Sequence, residues 1–199
     1  MGEFGKCKTE ALDNKGGGVL VYVSTDLSAI EWAPCTQFPE QIWCQINVGA
    51  KEKLLVGVCY NSSNISLFPN NDELLRQMIT EVSNRHILLM GDFNYQGINW
   101  RSFQATDEAA QKFLNFIEDC LTQHVFEATR ENSVLDLVIT DEPDMTDNVN
   151  IYGQFSTSDH NVLHWKTNVL VTKENTQRLS RDYNKMNIEA VKQGLRDFN

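Results

Sequence analysis

No segment of this sequence runs for the roughly 18 to 20 consecutive apolar residues that a membrane-crossing helix needs, and the N-terminus lacks the basic-then-apolar layout of a secretion signal. Those absences point away from the membrane and the secretory route, toward a nuclear or cytoplasmic setting. Cysteine is sparse and odd in number. Cys7, Cys35, Cys44, Cys59 and Cys120 contain no C-x-x-C pair, which argues against a disulfide framework and a cysteine-rich zinc site and leaves reduced thiols as the expectation. Internal repeats and low-complexity tracts are missing, which removes solenoids and disordered tails from consideration. Cations are in the minority. With 17 Lys and Arg against 27 Asp and Glu the formal charge is −10, a poor balance for a general nucleic-acid binder, because phosphate affinity comes largely from side chains that displace counterions.

What is present is enough for one domain with one sizeable core: 199 residues, 41% hydrophobic and 22% charged. The charge is unevenly spread. Residues 72–165 carry 5 basic and 16 acidic side chains, and residues 166–199 carry 7 and 4. Carboxylates crowded in the middle of the chain are either offset by a bound divalent cation or form a solvated acidic face.

Hydrophobic periodicity outlines alternating strands and helices. Gly16, Gly17 and Gly18 precede the β-branched run Val19 to Val23, which reads as a buried strand; no Lys-Ser/Thr follows, so a phosphate-binding loop does not fit. Gln41 to Val48 and Lys53 to Tyr60, joined by Gly49-Ala50-Lys51-Glu52, predict an antiparallel hairpin. From Asn71, Leu74, Leu75, Met78, Ile79 and Val82 recur at helical spacing behind an Asn cap. The fully apolar run Ile87 to Met90 predicts a strand covered on both faces, ending in Gly91-Asp92-Phe93-Asn94. A second helix is expected over about 106–123, and further strands at Val134 to Thr140 and Asn161 to Val169. Beyond residue 170 the chain turns polar and basic, then places Ile188, Val191, Leu195 and Phe198 at roughly helical spacing, which reads as a linker entering a short helix.

Three short segments carry chemistry. Asp92 and Asn94 stand where an apolar strand ends, the place where α/β sheets usually hold ligands; an Asp there can take a proton from an attacking water and an Asn amide can hold a nucleophile or phosphoryl oxygen. The same tetrapeptide is also good turn chemistry. Ser158-Asp159-His160 joins an oxygen ligand suited to Mg²⁺ or Mn²⁺ with an imidazole able to donate to phosphate, or is a turn ahead of a strand. Asp136 sits inside Val134-Leu135-Asp136-Leu137-Val138-Ile139; unless it faces outward, burial there demands a partner, and His160 is the economical one, since Asp136 would fix its tautomer.

Taken in this order, Gly91-Asp92-Phe93-Asn94, Leu135-Asp136-Leu137-Val138 and Ser158-Asp159-His160 resemble the motifs of the endonuclease/exonuclease/phosphatase superfamily. Val58-Cys59-Tyr60 is similar to the strand whose terminal Tyr contacts phosphate in the apurinic endonuclease branch. The glycine run with its strand, and Thr122 to Arg130, resemble the nuclease domains of jockey-type non-LTR retrotransposon polyproteins. The resemblance spans about residues 5–170. It implies a four-layered α/β sandwich, two packed and mainly antiparallel sheets flanked by helices, that hydrolyses a DNA phosphodiester with Mg²⁺ (or Mn²⁺). By motif it implies Asp92 as the water-activating base, Asn94 as its positioning partner and a phosphate contact, Asp159 as a metal-site carboxylate, and His160 as donor to the scissile phosphate. Asp136 would orient His160, and Tyr60 would touch substrate phosphate.

Two departures qualify the expectation. Asn61-Ser62-Ser63 stands where the family has a proline-containing turn. The family's two opening strands, bearing an Asn and then a metal-binding Glu, have no counterpart ahead of the glycine run; Glu3 and Glu10 lie in a polar stretch without strand character. The expectation is therefore a domain over residues 1–170 that lacks its first strands, with weak DNA affinity and weakened or absent turnover, and a linker and helix over 171–199 leading to a reverse transcriptase domain. Two other readings stand beside it: a non-catalytic remnant or binding module of the same fold, and a phosphatase or phosphodiesterase for small phosphorylated molecules, which calls for a deep, narrow pocket.

Overall fold

The computed structural model describes residues 18–48, 52–62 and 70–169, together with the backbone of 4–8. Its centre is a six-stranded sheet. The strands in chain order are β1 (Phe4–Lys8), β2 (Leu20–Ser24), β3 (Ile30–Trp32), β4 (Gln41–Val48), β5 (Glu52–Tyr60), β6 (His86–Asp92), β7 (Ile98–Asn99), β8 (Gln104–Ala105), β9 (Thr122–Gln123), β10 (Asp136–Thr140), β11 (Asn150–Gln154) and β12 (Asn161–His164). The large sheet runs β3-β4-β5-β6-β10-β9, and β1-β2, β7-β8 and β11-β12 form separate antiparallel pairs. Within the large sheet only β5 and β6 run parallel, because the chain between them crosses over through helix α1 (Asn71–Val82). Helix α2 (Glu108–Cys120) fills the connection toward β9 and β10.

The apolar runs are continuous because both faces of this sheet are covered. On one face Leu55, Cys59, Ile87, Leu89, Leu137 and Ile139 pack against Leu75, Met78 and Ile79 of α1 and Phe113, Leu114 and Ile117 of α2. On the other, the alternate residues Leu54, Val56, Leu88 and Val138 meet Val23, Val125 and Met145, with Ile151 and Leu163 of the β11-β12 pair packed against them. Period-two alternation thus divides each strand between two cores. The described residues supply three layers of the α/β sandwich: helices, large sheet and small antiparallel pairs.

Some boundaries move. The run at Val19 to Val23 is a strand, but Leu20 is 43% and Tyr22 60% exposed while Val23 is buried, so β2 covers the core with one side only. The Asn ahead of α1 is Asn70, whose side chain makes no cap bond, whereas α2 is capped by Asp107 accepting from the Ala110 N–H. α2 ends at Cys120, so Thr122 and Gln123 pair with β10 as β9. Of the thiols, Cys44 and Cys59 are buried, and Cys35 and Cys120 exposed. The stretch between Glu3 and Glu10, expected to lack strand character, carries β1, whose backbone pairs antiparallel with β2 from Phe4 opposite Ser24 to Lys8 opposite Leu20; Glu3, Glu10, and the expected linker and helix of 171–199 lie outside the described residues.

Candidate active site

Register brings the chemistry together. β10 runs antiparallel to β6 with Asp136 opposite Asp92, and β5 runs parallel to β6 with Tyr60 beside Asp92. Three polar side chains therefore form a row across three adjacent strands at one end of the sheet. The turn Gly91-Asp92-Phe93-Asn94 is built around a close backbone approach. Gly91 has φ +141°, and a Cβ there would overlap the Cys59 carbonyl of the neighbouring strand, so glycine is required. Phe93 is fully buried and lies 5.6 Å from the Phe113 ring. Its N–H donates to the Leu135 carbonyl at 2.8 Å, and the Asn61 N–H donates to the Asp92 carbonyl at 2.8 Å. Asn94 then enters the left-handed region at φ 55°, where Asn is tolerated better than most residues.

Asp92 and Asn94 meet through this turn rather than through a continued strand. Asp92 accepts from the Asn94 N–H at 3.0 Å and from its Nδ2 at 3.1 Å. The same Nδ2 also donates to the Asn61 carbonyl at 2.9 Å. Both of its hydrogens are thereby committed, and Oδ1 is the atom left to accept from a water. The turn and the site are one object.

His160 completes the cluster from the opposite side. Its Nδ1 is 2.8 Å from Asp136 Oδ2, its Nε2 is 3.8 Å from Asp92 Oδ2 and 3.9 Å from Asp159 Oδ1. Asp136 faces inward to this ring with its side chain one-fifth exposed. Its backbone is fixed by Thr129, a fully buried residue whose hydroxyl accepts from both Leu135 and Asp136 N–H groups at 3.0 Å. Asp159 lies farther out, over half exposed, and its Oδ2 pairs with Arg130 at 2.5 Å. Asp92, Asn94, Asp136, Asp159 and His160 thus gather at one end of the sheet although they span 68 positions. Tyr60 lies on the same edge, half-buried, with its N–H donating to the Glu40 carbonyl at 2.9 Å.

Electrostatics mark Asp92. Burial, reinforced by the negative charge of Asp136, pushes its carboxyl up to about 6, against the opposing pull of His160, the Asn94 N–H and Arg130. A half-buried Asp92 with a raised proton affinity, set beside a second carboxylate, is a setting a divalent cation relieves. The donors open to such an ion are few: Asp159 Oδ1 and what remains of Asp92, with Asp136 held by His160. That suits Mg²⁺, which keeps several waters and binds through one or two carboxylates. Among the described residues, the grouping that brings three ligand atoms within 4.8 Å of one another is His86, Asp141 and Glu142 rather than the Asp92 cluster; His86 opens β6 and Asp92 closes it, so the two lie about 20 Å apart along the strand.

Sequence reasoning missed three supporting residues. Arg130 is the only Lys or Arg between Lys112 and Lys166, and that isolation was the available clue. Thr129 and Asn61 gave none. Asn61 is buried, donates its amide to the Phe93 carbonyl at 3.0 Å and accepts from Asn71 Nδ2 at 2.6 Å, bracing the loop from the position where the family places its proline turn.

Comparison with solved structures finds a similar fold. The endonuclease domain of TRAS1, a telomere-specific non-LTR retrotransposon, superposes with a TM-score of 0.59 at 14% identity over 83% of this chain and 80% of that one. A 3′-5′ exonuclease (NExo) from Neisseria meningitidis matches with a TM-score of 0.48 at 14% identity over 70% of each chain. No curated protein sequence matches the chain. Residues 54–164 match the family described as endonuclease-reverse transcriptase, a stretch that runs from β5 through β12 and contains every residue of the site, and the chain belongs to that family.

Proposed function

We propose that this chain is a metal-dependent phosphodiesterase that nicks DNA, the nuclease part of a retrotransposon-type polyprotein in which a reverse transcriptase follows. One observation carries the reading: His160 is held at Nδ1 by Asp136 while its Nε2 faces Asp92, so an imidazole and a proton acceptor meet across a gap open to a phosphate. Asp136 holds the Nδ1–H tautomer, and in its protonated form the ring presents Nε2–H to a phosphoryl oxygen. Asp92, ionised above about pH 6, accepts the proton of the attacking water, which Asn94 Oδ1 holds in line. Arg130 anchors Asp159 and adds positive charge where the phosphate arrives. A divalent cation at Asp92 and Asp159 would neutralise charge developing on the phosphate. With Asp92 and Asp159 as its protein ligands the ion would be loosely held, and turnover is expected to be slow.

A phosphatase for small molecules fits less well, because the space beside the cluster is an open cleft rather than a deep pocket. A DNA substrate fits a nuclear or cytoplasmic setting. The test is plasmid nicking with Mg²⁺ or Mn²⁺, comparing the chain with Asp92→Ala and His160→Ala. Relaxation of supercoiled DNA by the parent alone supports the proposal; equal traces from all three refute it and leave a non-catalytic module.

A further inference from the structure

The pole of the large sheet opposite Asp92 carries a second constellation, which the phosphodiesterase chemistry leaves unused. His86 opens β6, and Asp141 and Glu142 follow the last residue of β10. The β6-β10 ladder ends with Leu88 opposite Thr140, so the next steps of the antiparallel register carry Asp141 toward Ile87 and Glu142 toward His86. Asp141 Oδ1 accepts from the Ile87 N–H at 2.7 Å, which fixes the carboxylate and sets its Oδ2 3.0 Å from His86 Nδ1. Glu142 Oε1 lies 3.6 Å from the same nitrogen. Its backbone is held as well, because the Glu142 carbonyl accepts from the Thr140 hydroxyl at 2.7 Å and from the Met145 N–H at 3.2 Å.

Two carboxylates thus converge on one imidazole nitrogen, which has at most one proton to give. An Nδ1–H that satisfies Asp141 leaves Glu142 without a donor. Neither acid has a Lys or Arg nitrogen within 4.0 Å among the described residues. Arg85, the neighbour of His86, instead places its guanidinium 5.2 Å from the centre of the Trp32 ring. The negative charge at this pole is therefore poorly balanced, and the Asp141 side chain that carries part of it is only 17% exposed. The spacing suits a small dication. A tetrahedral ion about 2.1 Å from each ligand holds those ligands about 3.4 Å apart, between the 3.0 and 3.6 Å found here. The donor set chooses the ion: Mg²⁺ prefers oxygen alone, whereas Zn²⁺ takes imidazole and carboxylate together. Clefts of about 490 and 260 Å³ both reach His86, which gives the ion an entry and leaves its remaining position to water.

We propose that His86, Asp141 and Glu142 form a second divalent-metal site, suited to Zn²⁺, that clips the start of β6 to the end of β10. The ion's role there is structural. It ties together, at the far end, the two strands whose other ends present Asp92 and Asp136, and it closes a loop of 55 positions between His86 and Asp141. The proposal stands independently of the phosphodiesterase reading.

The test must tell this site from the Asp92 end. Untagged chain, stripped with chelator and dialysed into excess Mg²⁺, is titrated with Zn²⁺ by calorimetry alongside His86→Ala, Glu142→Gln and His160→Ala. The parent should bind one Zn²⁺ that Mg²⁺ does not displace, and His160→Ala should bind it equally well. His86→Ala and Glu142→Gln should weaken it by about tenfold or more. Glu142→Gln keeps the size of a side chain that is 59% exposed, so loss of folding does not confuse the result. In thermal melts, Zn²⁺ at about 100 times its Kd should raise the parent midpoint by about 5 to 10 °C and leave that of His86→Ala nearly unmoved. Absence of Zn²⁺ binding overturns the proposal, as does binding that survives in His86→Ala and Glu142→Gln but is lost in His160→Ala. None of these readouts involves nicking, so a chain that fails to cut DNA can still hold the ion, and a chain that cuts can still fail to bind it.

Discussion

Replacing Asp92 by Asn should stabilise the metal-free protein while destroying its activity, and the stabilisation should grow with pH. The fold raises the Asp92 carboxyl from 3.8 to about 6, chiefly by burial and then by the charge of Asp136. A raised carboxyl favours the protonated form in the folded state. Its contribution is fully present below the unfolded value and is lost as pH rises through about 6. The whole shift corresponds to about 3 kcal/mol, of which about 2 kcal/mol falls between about pH 4 and about pH 7.5. Water reaches part of the side chain, so we halve that to about 1 kcal/mol. For a chain of this size it should appear as a melting-temperature gap between variant and parent that widens by about 2 to 4 °C across the interval. Any cost of turning an amide toward Asn94 is the same at both ends and drops out of the difference. Circular dichroism melts in EDTA measure it, and saturating Mg²⁺ should shrink the gap, since the ion stabilises the ionised parent. A gap that stays constant with pH, or narrows, would refute the assignment of Asp92 as a buried, strained carboxylate.

Three further outcomes follow from the same geometry. Asp136→Asn, which leaves His160 free to adopt the wrong tautomer, should lower nicking on the order of 10²- to 10⁴-fold with DNA affinity little changed, read as kcat against Kd from single-turnover kinetics. Asn61→Ala strips the loop of two buried side-chain bonds and should lower the denaturant midpoint by the equivalent of about 1 to 3 kcal/mol; an unaltered midpoint removes Asn61 from the support of the site. Gly91→Ala forces a Cβ into the Cys59 carbonyl at a φ that alanine disfavours, and should cost about 3 kcal/mol or more, seen as loss of the cooperative melt.

The fold was readable in the sequence wherever burial is two-sided or periodic. The runs at Leu54 to Tyr60 and Ile87 to Met90 are apolar at every position because helices cover one face and the small antiparallel pairs the other, and no loop or surface helix has reason to look that way. α1 and α2 announced themselves by a stripe. Edges were harder: Leu20 and Tyr22 are β-branched neighbours' companions on an exposed side of β2, and composition does not report which side of a strand faces water. The helix-like tail at 171–199 lies outside the described residues. Within the site, Asp92, Asp136 and His160 were legible because a charged residue at the end of, or inside, an apolar strand needs a reason. Asn61, Thr129 and Arg130 act through backbone carbonyls, N–H groups and a carboxylate brought close by the fold, and no local pattern marks a residue whose partners are decided by distant register.

Register also explains why turn and site were not true alternatives for Gly91-Asp92-Phe93-Asn94. A strand could display Asp92 and Asn94 on one face, but at a separation of about 7 Å, too far for either to orient the other. The left-handed step at Asn94 folds its amide back onto the carboxylate, while Phe93, driven into the core beside Phe113, prevents the turn from rotating away. That fold-back requires the β5 and β6 backbones to approach so closely at Gly91 that only glycine fits, and the same approach sets Tyr60 beside Asp92. Each residue of the tetrapeptide is therefore fixed by a different constraint: close backbone contact, a carboxylate set against Asp136 and His160, core packing, left-handed backbone. A plain surface turn would satisfy the last of these and has no use for a fully buried Phe between its polar residues. The burial of Phe93, more than the polar pair it separates, distinguishes a held constellation from a loop.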